Sequence, residues 1–193
     1  MKSICVYCGS SMGNNPLFLS AAQLLGRQLA EGDIALVYGG ATLGLMGAVA
    51  NACLDAGGQV LGVIPRFLDE VEITHRGLTE IVITESMHER KTIMADRADG
   101  FIALPGGFGT LEELMEILTW SQLGLLQKPI GILNVAGYYD ALIALFAQMK
   151  KEGLIKEVNM NLFVVKDNVQ DLLLALSDFQ SQITNHRQKL GLT

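Results

Sequence analysis

Short apolar runs alternate with amphipathic helical patterns along most of the chain, and this alternation limits the fold more than any other feature. Seven runs predict strands, at Ser3–Tyr7, Ile34–Tyr38, Val60–Ile64, Ile81–Thr84, Phe101–Leu104, Ile130–Leu133 and Leu162–Val165. Six helical patterns follow, at Phe18–Leu29, Leu45–Ala56, Met87–Ala98, Leu111–Leu123, Tyr138–Lys150 and Val169–Phe179. Strands that alternate with helices of this length form a parallel sheet covered on both faces. We therefore predict an α/β three-layer sandwich with a mostly parallel sheet.

Length and composition predict one folded domain. The chain has 193 residues, of which 50% are hydrophobic and 18% are charged. We predict a single domain over residues 1–180 and a polar tail over residues 181–193. The net charge of −6 argues against general binding of nucleic acid or membrane surfaces. An anionic ligand would therefore need a locally positive site.

The start of the chain and its longest uncharged stretch favour a cytoplasmic protein. Met1-Lys2 leads directly into the first predicted strand, so no secretory signal is predicted. The stretch Ile34–Leu54 has no charged residue and is long enough to cross a bilayer, but Gly39-Gly40 divides it. A buried strand, a turn and a buried helix fit this pattern better than a membrane span.

The cysteines and histidines predict no metal site. Cys5 and Cys8 have the CxxC spacing, but they belong to a predicted strand and its end, whereas redox pairs open a helix. A zinc site would need two more ligands, and Cys53 is the one cysteine that remains. The histidines show no ligand spacing with them; these are His75, His88 and His186. We expect core thiols in a reducing cytosol.

The stretch Pro105–Glu113 joins a predicted strand to a predicted helix through three glycines. The bare backbone of Gly106, Gly107 and Gly109 lets N–H groups approach an anion closely. The first turn of the helix adds free N–H groups and the positive end of its dipole, and Thr110 adds a hydroxyl. This turn is therefore predicted to hold a phosphate.

Known nucleotide fingerprints narrow the predicted ligand. The dinucleotide pattern GxGxxG fails because Glu112 stands where its third glycine belongs, and no GxxxxGK[ST] loop is present. A monophosphate is the better prediction. Two further glycine turns, at Cys8–Ser11 and Gly39–Gly47, also follow predicted strands. Because the carboxyl ends of parallel strands share one edge, the three turns are expected to converge, unless the earlier two are simple tight connections.

Two cations and three carboxylates lie close to this turn in the sequence. Arg90 and Lys91 open the helix before the glycine strand, where cations oppose the helix dipole. Cations in this unfavourable position indicate that the function requires them there. The alternative is that they belong to a solvated charged face of the helix. Successive helical residues differ by about 100° in direction, so the two cations need not serve one target. By the same geometry Glu112 shares a face with Glu116, and Glu113 points elsewhere.

These motifs together resemble the LONELY GUY (LOG) family. Pro105–Glu113 is similar to the family pattern PGGxGTxxE, and Met87–Lys91 is similar to its pattern MHxRK. The resemblance extends to about Phe179 and includes further segments, at Cys8–Ser11, Tyr38–Gly40, Thr119–Gly124 and Lys128–Asn134.

The resemblance implies a function and a set of site residues. It implies hydrolysis of cytokinin riboside 5′-monophosphates, and of AMP, to a free adenine-type base and ribose 5-phosphate. A Rossmann-like fold, a homodimer and no cofactor are implied too. Arg90 and Glu113 correspond to the catalytic pair. The implied substrate contacts are Glu72, Met87, Lys91, Gly106, Gly107, Phe108, Gly109, Thr110, Leu111, Glu112 and Thr119.

Several alternatives stay open at this stage. The main one is a non-enzymatic carrier, resembling the molybdenum-cofactor carriers, that binds a phosphorylated pterin unchanged. Lysine decarboxylation would need pyridoxal phosphate and a Schiff-base lysine, and nothing marks Lys91 or Lys128 for that role. The residues do not choose between Glu112 and Glu113 as the catalytic carboxylate. The N6 substituent of the base is also open. Met46, Met87 or Trp120 would line a pocket for an apolar substituent, or all three are ordinary core or interface residues.

Overall fold

A computed structural model describes residues 1–69 and 74–189, with residues 180–189 as backbone. Within this part of the chain seven strands form one sheet. They are β1 Ser3–Tyr7, β2 Ala35–Tyr38, β3 Val60–Pro65, β4 Glu80–Thr84, β5 Gly100–Ala103, β6 Ile130–Leu133 and β7 Val164–Lys166. The helices are α1 Pro16–Glu31, α2 Gly44–Asp55, α3 Arg66–Asp69, α4 Met87–Arg97, α5 Phe108–Gln122, α6 Asp140–Lys151 and α7 Val169–Lys189.

The order of the strands places a ligand crevice at the centre of the sheet. All neighbouring strands pair in parallel, in the order β4-β3-β2-β1-β5-β6-β7. The chain builds outward from β1 to β4 and then returns to start the other half at β5. Ligands of such sheets bind outside the carboxyl ends of the strands, where the direction of winding reverses. The crevice is thus expected between the ends of β1 and β5.

Both faces of the sheet are covered, which confirms the predicted three layers. Ile4 and Val6 pack on one face with α1, α2 and α7, whereas Cys5 and Tyr7 pack on the other with α4, α5 and α6. This alternation follows from the two-residue period of a strand. Because both faces of each central strand are buried, the strands read as continuous apolar runs.

The structure differs from the predicted elements at the end of α7 and in the connection after β3. Helix α7 continues to Lys189, whereas the helical pattern was expected to end at Phe179. The irregular connection after β3 begins with the short helix α3, and Thr74 forms an isolated antiparallel bridge with Ala41. The uncharged stretch Ile34–Leu54 falls on β2, a glycine turn and α2, as predicted. Within residues 1–69 and 74–189, no helix has the length and hydropathy needed to cross a membrane.

Candidate active site

The three glycine turns converge at the point where winding reverses, as predicted. The Gly9 N–H after β1 donates to the Pro105 carbonyl after β5 (3.1 Å), and the Gly9 carbonyl accepts from the Leu45 N–H at the start of α2 (3.0 Å). The approach is close: a Cβ built on Gly44, which has φ +62°, would lie 2.2 Å from the Ser10 carbonyl carbon. Glycine is required at Gly44 both for its left-handed backbone and for this contact.

The β5–α5 turn presents an open backbone. Helix α5 begins after Gly107, which as N-cap residue supplies no side-chain cap. A Cβ built on Gly107 or on Gly109 would meet no described atom within 4 Å. Packing within the described chain therefore does not explain these two glycines, and their open side leaves room for a ligand to approach the backbone closely. Phe108 between them is 93% exposed.

Gly106, unlike Gly107 and Gly109, is tightly packed, and its neighbour is Thr110. Thr110 is buried, and a Cβ built on Gly106 would lie 2.1 Å from its hydroxyl oxygen. Gly106 is therefore required by packing against Thr110. Leu111, one residue further along α5, is partly buried against the core.

Arg90 lies under the ends of the neighbouring strands. It belongs to the first turn of α4, where the Ser86 hydroxyl caps the helix by accepting from the Glu89 N–H (3.1 Å). The Arg90 Nε donates to the Val63 carbonyl (3.0 Å) and Nη2 donates to the Gly39 carbonyl (3.3 Å). These strand-end carbonyls stabilise a cation that the helix dipole disfavours. Arg90 is consequently only 8% exposed.

Glu113 faces Arg90 from α5. Its Oε1 lies 4.0 Å from Arg90 Nη1, and its side chain is 14% exposed. Burial raises the pKa of Glu113 to about 7; the positive charge of Arg90 opposes this shift without cancelling it. A carboxyl group with this pKa exchanges a proton near neutral pH, as acid–base catalysis requires.

Lys91 and Glu112 form a second, separate charged group. Lys91 Nζ donates to Glu112 Oε1 (2.5 Å) and to Glu116 Oε1 (2.9 Å), and so joins α4 to α5. Burial lowers the pKa of Lys91, but the hydrogen bonds that Lys91 donates to both carboxylates outweigh burial and leave this pKa raised. As the helical geometry predicted, Arg90 and Lys91 serve different partners, and Glu112 shares a face with Glu116.

The other predicted contacts lie at varied distances from the turn. Met87 is close, since its Sδ lies 3.3 Å from Arg90 Nη1. Thr119 is nine residues after Thr110 on α5, roughly 13 Å along the helix axis. Its hydroxyl donates to the Met115 carbonyl (2.7 Å), and it lines an apolar groove against Phe146 of α6. Within one chain Thr119 therefore does not meet the glycine turn. Glu72 lies outside the described residues.

The remaining sequence candidates behave as core or surface residues. Met46 is buried beside α1 and β1, and Trp120 packs against the opposite core cluster. Lys128 donates to the Ala95 carbonyl (2.7 Å), and Lys91 donates to two carboxylates, so hydrogen bonds within the chain occupy both amino groups. The three cysteines are buried and free, as predicted, and burial raises the pKa of Cys53 to about 11.

The sequence patterns did not single out two tyrosines that contact the end of β5 and its glycine turn. Tyr138 Oη donates to the Gly106 carbonyl, and Tyr139 Oη donates to the Leu104 carbonyl (2.6 Å). Both follow β6, which pairs with β5. The available signal was a pair of tyrosines five and six residues after the end of a strand, and it is informative only once β6 is known to neighbour the glycine strand.

Comparison with known proteins identifies relatives that align with most of this chain. A family model described as "Possible lysine decarboxylase" matches residues 46–176. In rice (Oryza sativa subsp. japonica), the protein named "Probable cytokinin riboside 5′-monophosphate phosphoribohydrolase LOG4" is 50% identical over 92% of this chain and 77% of its own length. In Arabidopsis thaliana, cytokinin riboside 5′-monophosphate phosphoribohydrolase LOG7 is 46% identical over 98% of this chain and 87% of its own length.

Solved structures support the fold. The molybdenum cofactor carrier protein of Chlamydomonas reinhardtii is 21% identical, with a TM-score of 0.70 over 93% of this chain and 98% of that one. A molybdenum cofactor binding protein from Rippkaea orientalis is 20% identical, also with a TM-score of 0.70. Identity at this level carries the fold alone, whereas the plant relatives share nearly half of their aligned residues with this chain. The chain belongs to the LOG family of cytokinin riboside 5′-monophosphate phosphoribohydrolases.

Proposed function

We propose that this protein hydrolyses the N-glycosidic bond of cytokinin riboside 5′-monophosphates, and of AMP. The products are a free adenine-type base and ribose 5-phosphate. One observation carries the proposal: a buried Glu113, with a pKa of about 7, faces Arg90 directly beside an open glycine turn. The plant relatives named for this activity align over more than nine-tenths of the chain.

The 5′-phosphate would bind at the β5–α5 turn. Four N–H groups at the start of an α-helix have no partner within it, and the helix dipole favours an anion there. In α5 these are the N–H groups of Gly107–Thr110. Since the whole chain carries a net charge of −6, this local positive end is what would attract a phosphate.

Glu113 and Arg90 would act on the glycosidic bond. Breaking this bond builds positive charge on the ribose, which an ionised Glu113 would stabilise while it polarises the attacking water. Arg90 stays protonated and does not donate a proton. Its Nε and Nη2 hold strand-end carbonyls, so Nη1 is the edge that faces Glu113 and the ribose.

The phosphate is remote from the bond that breaks, so its binding energy would serve to orient the substrate. We expect AMP to react much faster than adenosine for this reason. Equal rates with the two would contradict phosphate anchoring while leaving the hydrolase assignment in place.

We also propose that the substrate site includes residues of both charged groups, the Arg90–Glu113 pair and the cluster of Lys91 with Glu112 and Glu116. Lys91 and Glu112, with Met87, Phe108 and Leu111, would contact substrate or hold the turn in place.

Thr119 is too far from the turn of its own chain, and this supports a homodimer whose partner completes the site. Exposed apolar side chains after α5 and α6 would be covered in such a dimer; they are Leu123, Leu125, Leu154 and Val158. The free, buried thiols fit a cytoplasmic location.

The test is a side-by-side incubation of the purified protein with AMP, GMP, CMP and isopentenyladenosine monophosphate. Chromatography should show free adenine and isopentenyladenine, with an equal amount of ribose 5-phosphate. A protein that retained these nucleotides without releasing any base would instead support the carrier function. Release of base from CMP at the rate of AMP would contradict selectivity for adenine-type bases.

A further inference from the structure

Two consecutive tyrosines hold the β5–α5 turn from the side of β6. Tyr138 Oη donates to the Gly106 carbonyl (2.5 Å), and Tyr139 Oη donates to the Leu104 carbonyl (2.6 Å). Tyr139 is buried, whereas Tyr138 is 43% exposed. The Tyr138 hydrogen bond therefore lies at the surface, where water competes for both groups. The Tyr139 hydrogen bond, in contrast, is a core contact.

The connection after β6 is shaped to deliver this hydroxyl. Ala136 and Gly137 both have left-handed backbones, with φ of +52° and +72°. A non-glycine residue seldom adopts that conformation without surrounding support. Here the support includes the Asn134 side chain, whose Oδ1 accepts from the Tyr139 N–H (2.7 Å). The two successive reversals turn the chain back over the end of β5.

The Tyr138 hydrogen bond bears on the direction of one peptide group in the β5–α5 turn. The peptide between Gly106 and Gly107 is trans, so its carbonyl and its N–H point in opposite directions. Because glycine restricts its backbone least, this peptide group would rotate easily without a partner. A carbonyl held toward Tyr138 aims the Gly107 N–H away from it. Gly107 is the N-cap of α5, so this N–H is the first of the four unpaired donors.

We propose that Tyr138 is a positioning residue for the 5′-phosphate: its hydroxyl holds the 106–107 peptide so that the Gly107 N–H faces the phosphate. This inference rests on the proposed function, because it assumes that a phosphate binds at the turn. Tyr138 acts through the backbone and is not required to touch the substrate.

The test compares Tyr138→Phe with wild type, using AMP and adenosine as substrates and ribose 5-phosphate as a binding probe measured by calorimetry. Loss of one neutral hydrogen bond should lower kcat/KM for AMP by roughly 3- to 10-fold. The affinity for ribose 5-phosphate should fall by the same factor. The kcat/KM for adenosine, which has no phosphate, should stay unchanged.

Tyr38→Phe is the matched control. Tyr38 lies at the end of β2, and its buried hydroxyl has no hydrogen-bond partner among the described residues. Removing it should change neither substrate's kcat/KM.

Each remaining outcome is decisive. Equal losses with AMP and adenosine would make Tyr138 a general structural residue and overturn the proposal, as would unchanged affinity for ribose 5-phosphate in Tyr138→Phe. If wild type releases no base, the hydrolase assignment fails, and the ribose 5-phosphate measurement still decides the role of Tyr138. A wild type that does not bind ribose 5-phosphate would overturn that role too.

Discussion

Glu112 and Glu113 are neighbours in the chain and each faces a cation, yet they differ sharply in burial. Successive side chains of a helix point about 100° apart, so one faces Lys91 at the surface and the other faces the strand ends. Glu112 is 57% exposed and ion-paired, whereas Glu113 is 14% exposed with Arg90 4.0 Å away. At the scale of single residues, burial therefore favours Glu113 as the catalytic carboxylate.

Glu113→Gln should lower kcat for AMP by a factor on the order of 10²–10⁴, the usual effect of losing an acid–base group. Glu112→Gln is the control, and it should lower kcat much less because Glu112 points away from Arg90. Steady-state kinetics with a circular dichroism check of folding measures both. Near-normal turnover in Glu113→Gln would transfer the catalytic role to another group.

Glu113 should also make stability depend on pH. Its pKa in the folded protein is about 7, above the ordinary value of 4.5. Between these two pH values the folded state holds a proton that the unfolded state has lost. The contribution of Glu113 to the free energy of unfolding is thus fully present below about pH 4.5 and is lost as the pH rises through 7, by up to about 3 kcal/mol.

Urea denaturation at pH 5 and pH 8 measures this loss. In Glu113→Gln the fall in stability from pH 5 to pH 8 should be smaller than in wild type, because glutamine does not titrate. An identical pH dependence in the two proteins would mean that Glu113 titrates normally in the folded state.

At the scale of elements, the glycines of the β5–α5 turn differ in what they do: Gly106 allows close packing against Thr110, whereas Gly107 leaves the backbone open. The helical pattern predicted a start at Leu111, but α5 begins at Phe108. The earlier start is what makes Gly107–Thr110 the first turn of the helix and leaves their N–H groups for a ligand. Lys91 adds a bridge from α4 to Glu112 and Glu116 of α5, and so links the two helices that carry Arg90 and Glu113.

The two tasks predict opposite effects for alanine at neighbouring positions. Gly107→Ala should leave the free energy of unfolding within about 0.5 kcal/mol of wild type, as expected for a substitution that meets no neighbour. It should nevertheless raise KM for AMP several-fold, because the new methyl group would enter the space proposed for the phosphate.

Gly106→Ala supplies the contrast. Its methyl group would collide with the Thr110 side chain, so we expect a loss of stability of about 1–3 kcal/mol, the usual cost of overpacking. Thermal or urea unfolding distinguishes the pair. A strongly destabilised Gly107→Ala protein would mean that the turn serves folding rather than ligand binding.

At the scale of the whole molecule, exposed apolar side chains lie next to a groove beside α5. Leu125, just after α5, is 74% exposed, and the groove lined by Thr119 opens beside the same helix. This face carries α5 and α6 and lies opposite α1, α2 and α7. A surface of this kind commonly marks an interface, and covering it would bring a second chain close to Thr119.

Light scattering should therefore give twice the chain mass for wild type, and Leu125→Glu should shift the protein toward monomer with reduced activity. Leu174→Glu is the matched control, because Leu174 is 63% exposed on α7, on the other face of the sheet. It should leave the mass unchanged. A monomeric wild type with full activity would remove the need for a partner chain.

The sequence by itself determined the strand–helix order, the parallel sheet and the strand–glycine turn–helix connection at Pro105–Glu113, for which it predicts anion binding. These follow from periodicity and from glycine, which act locally along the chain. Only the tertiary structure decided that Arg90 is buried under the Val63 and Gly39 carbonyls and that Tyr138 reaches Gly106. It also separated the environments of the two glutamates. Such contacts join residues dozens of positions apart, and burial and strand order have no signature in local spacing.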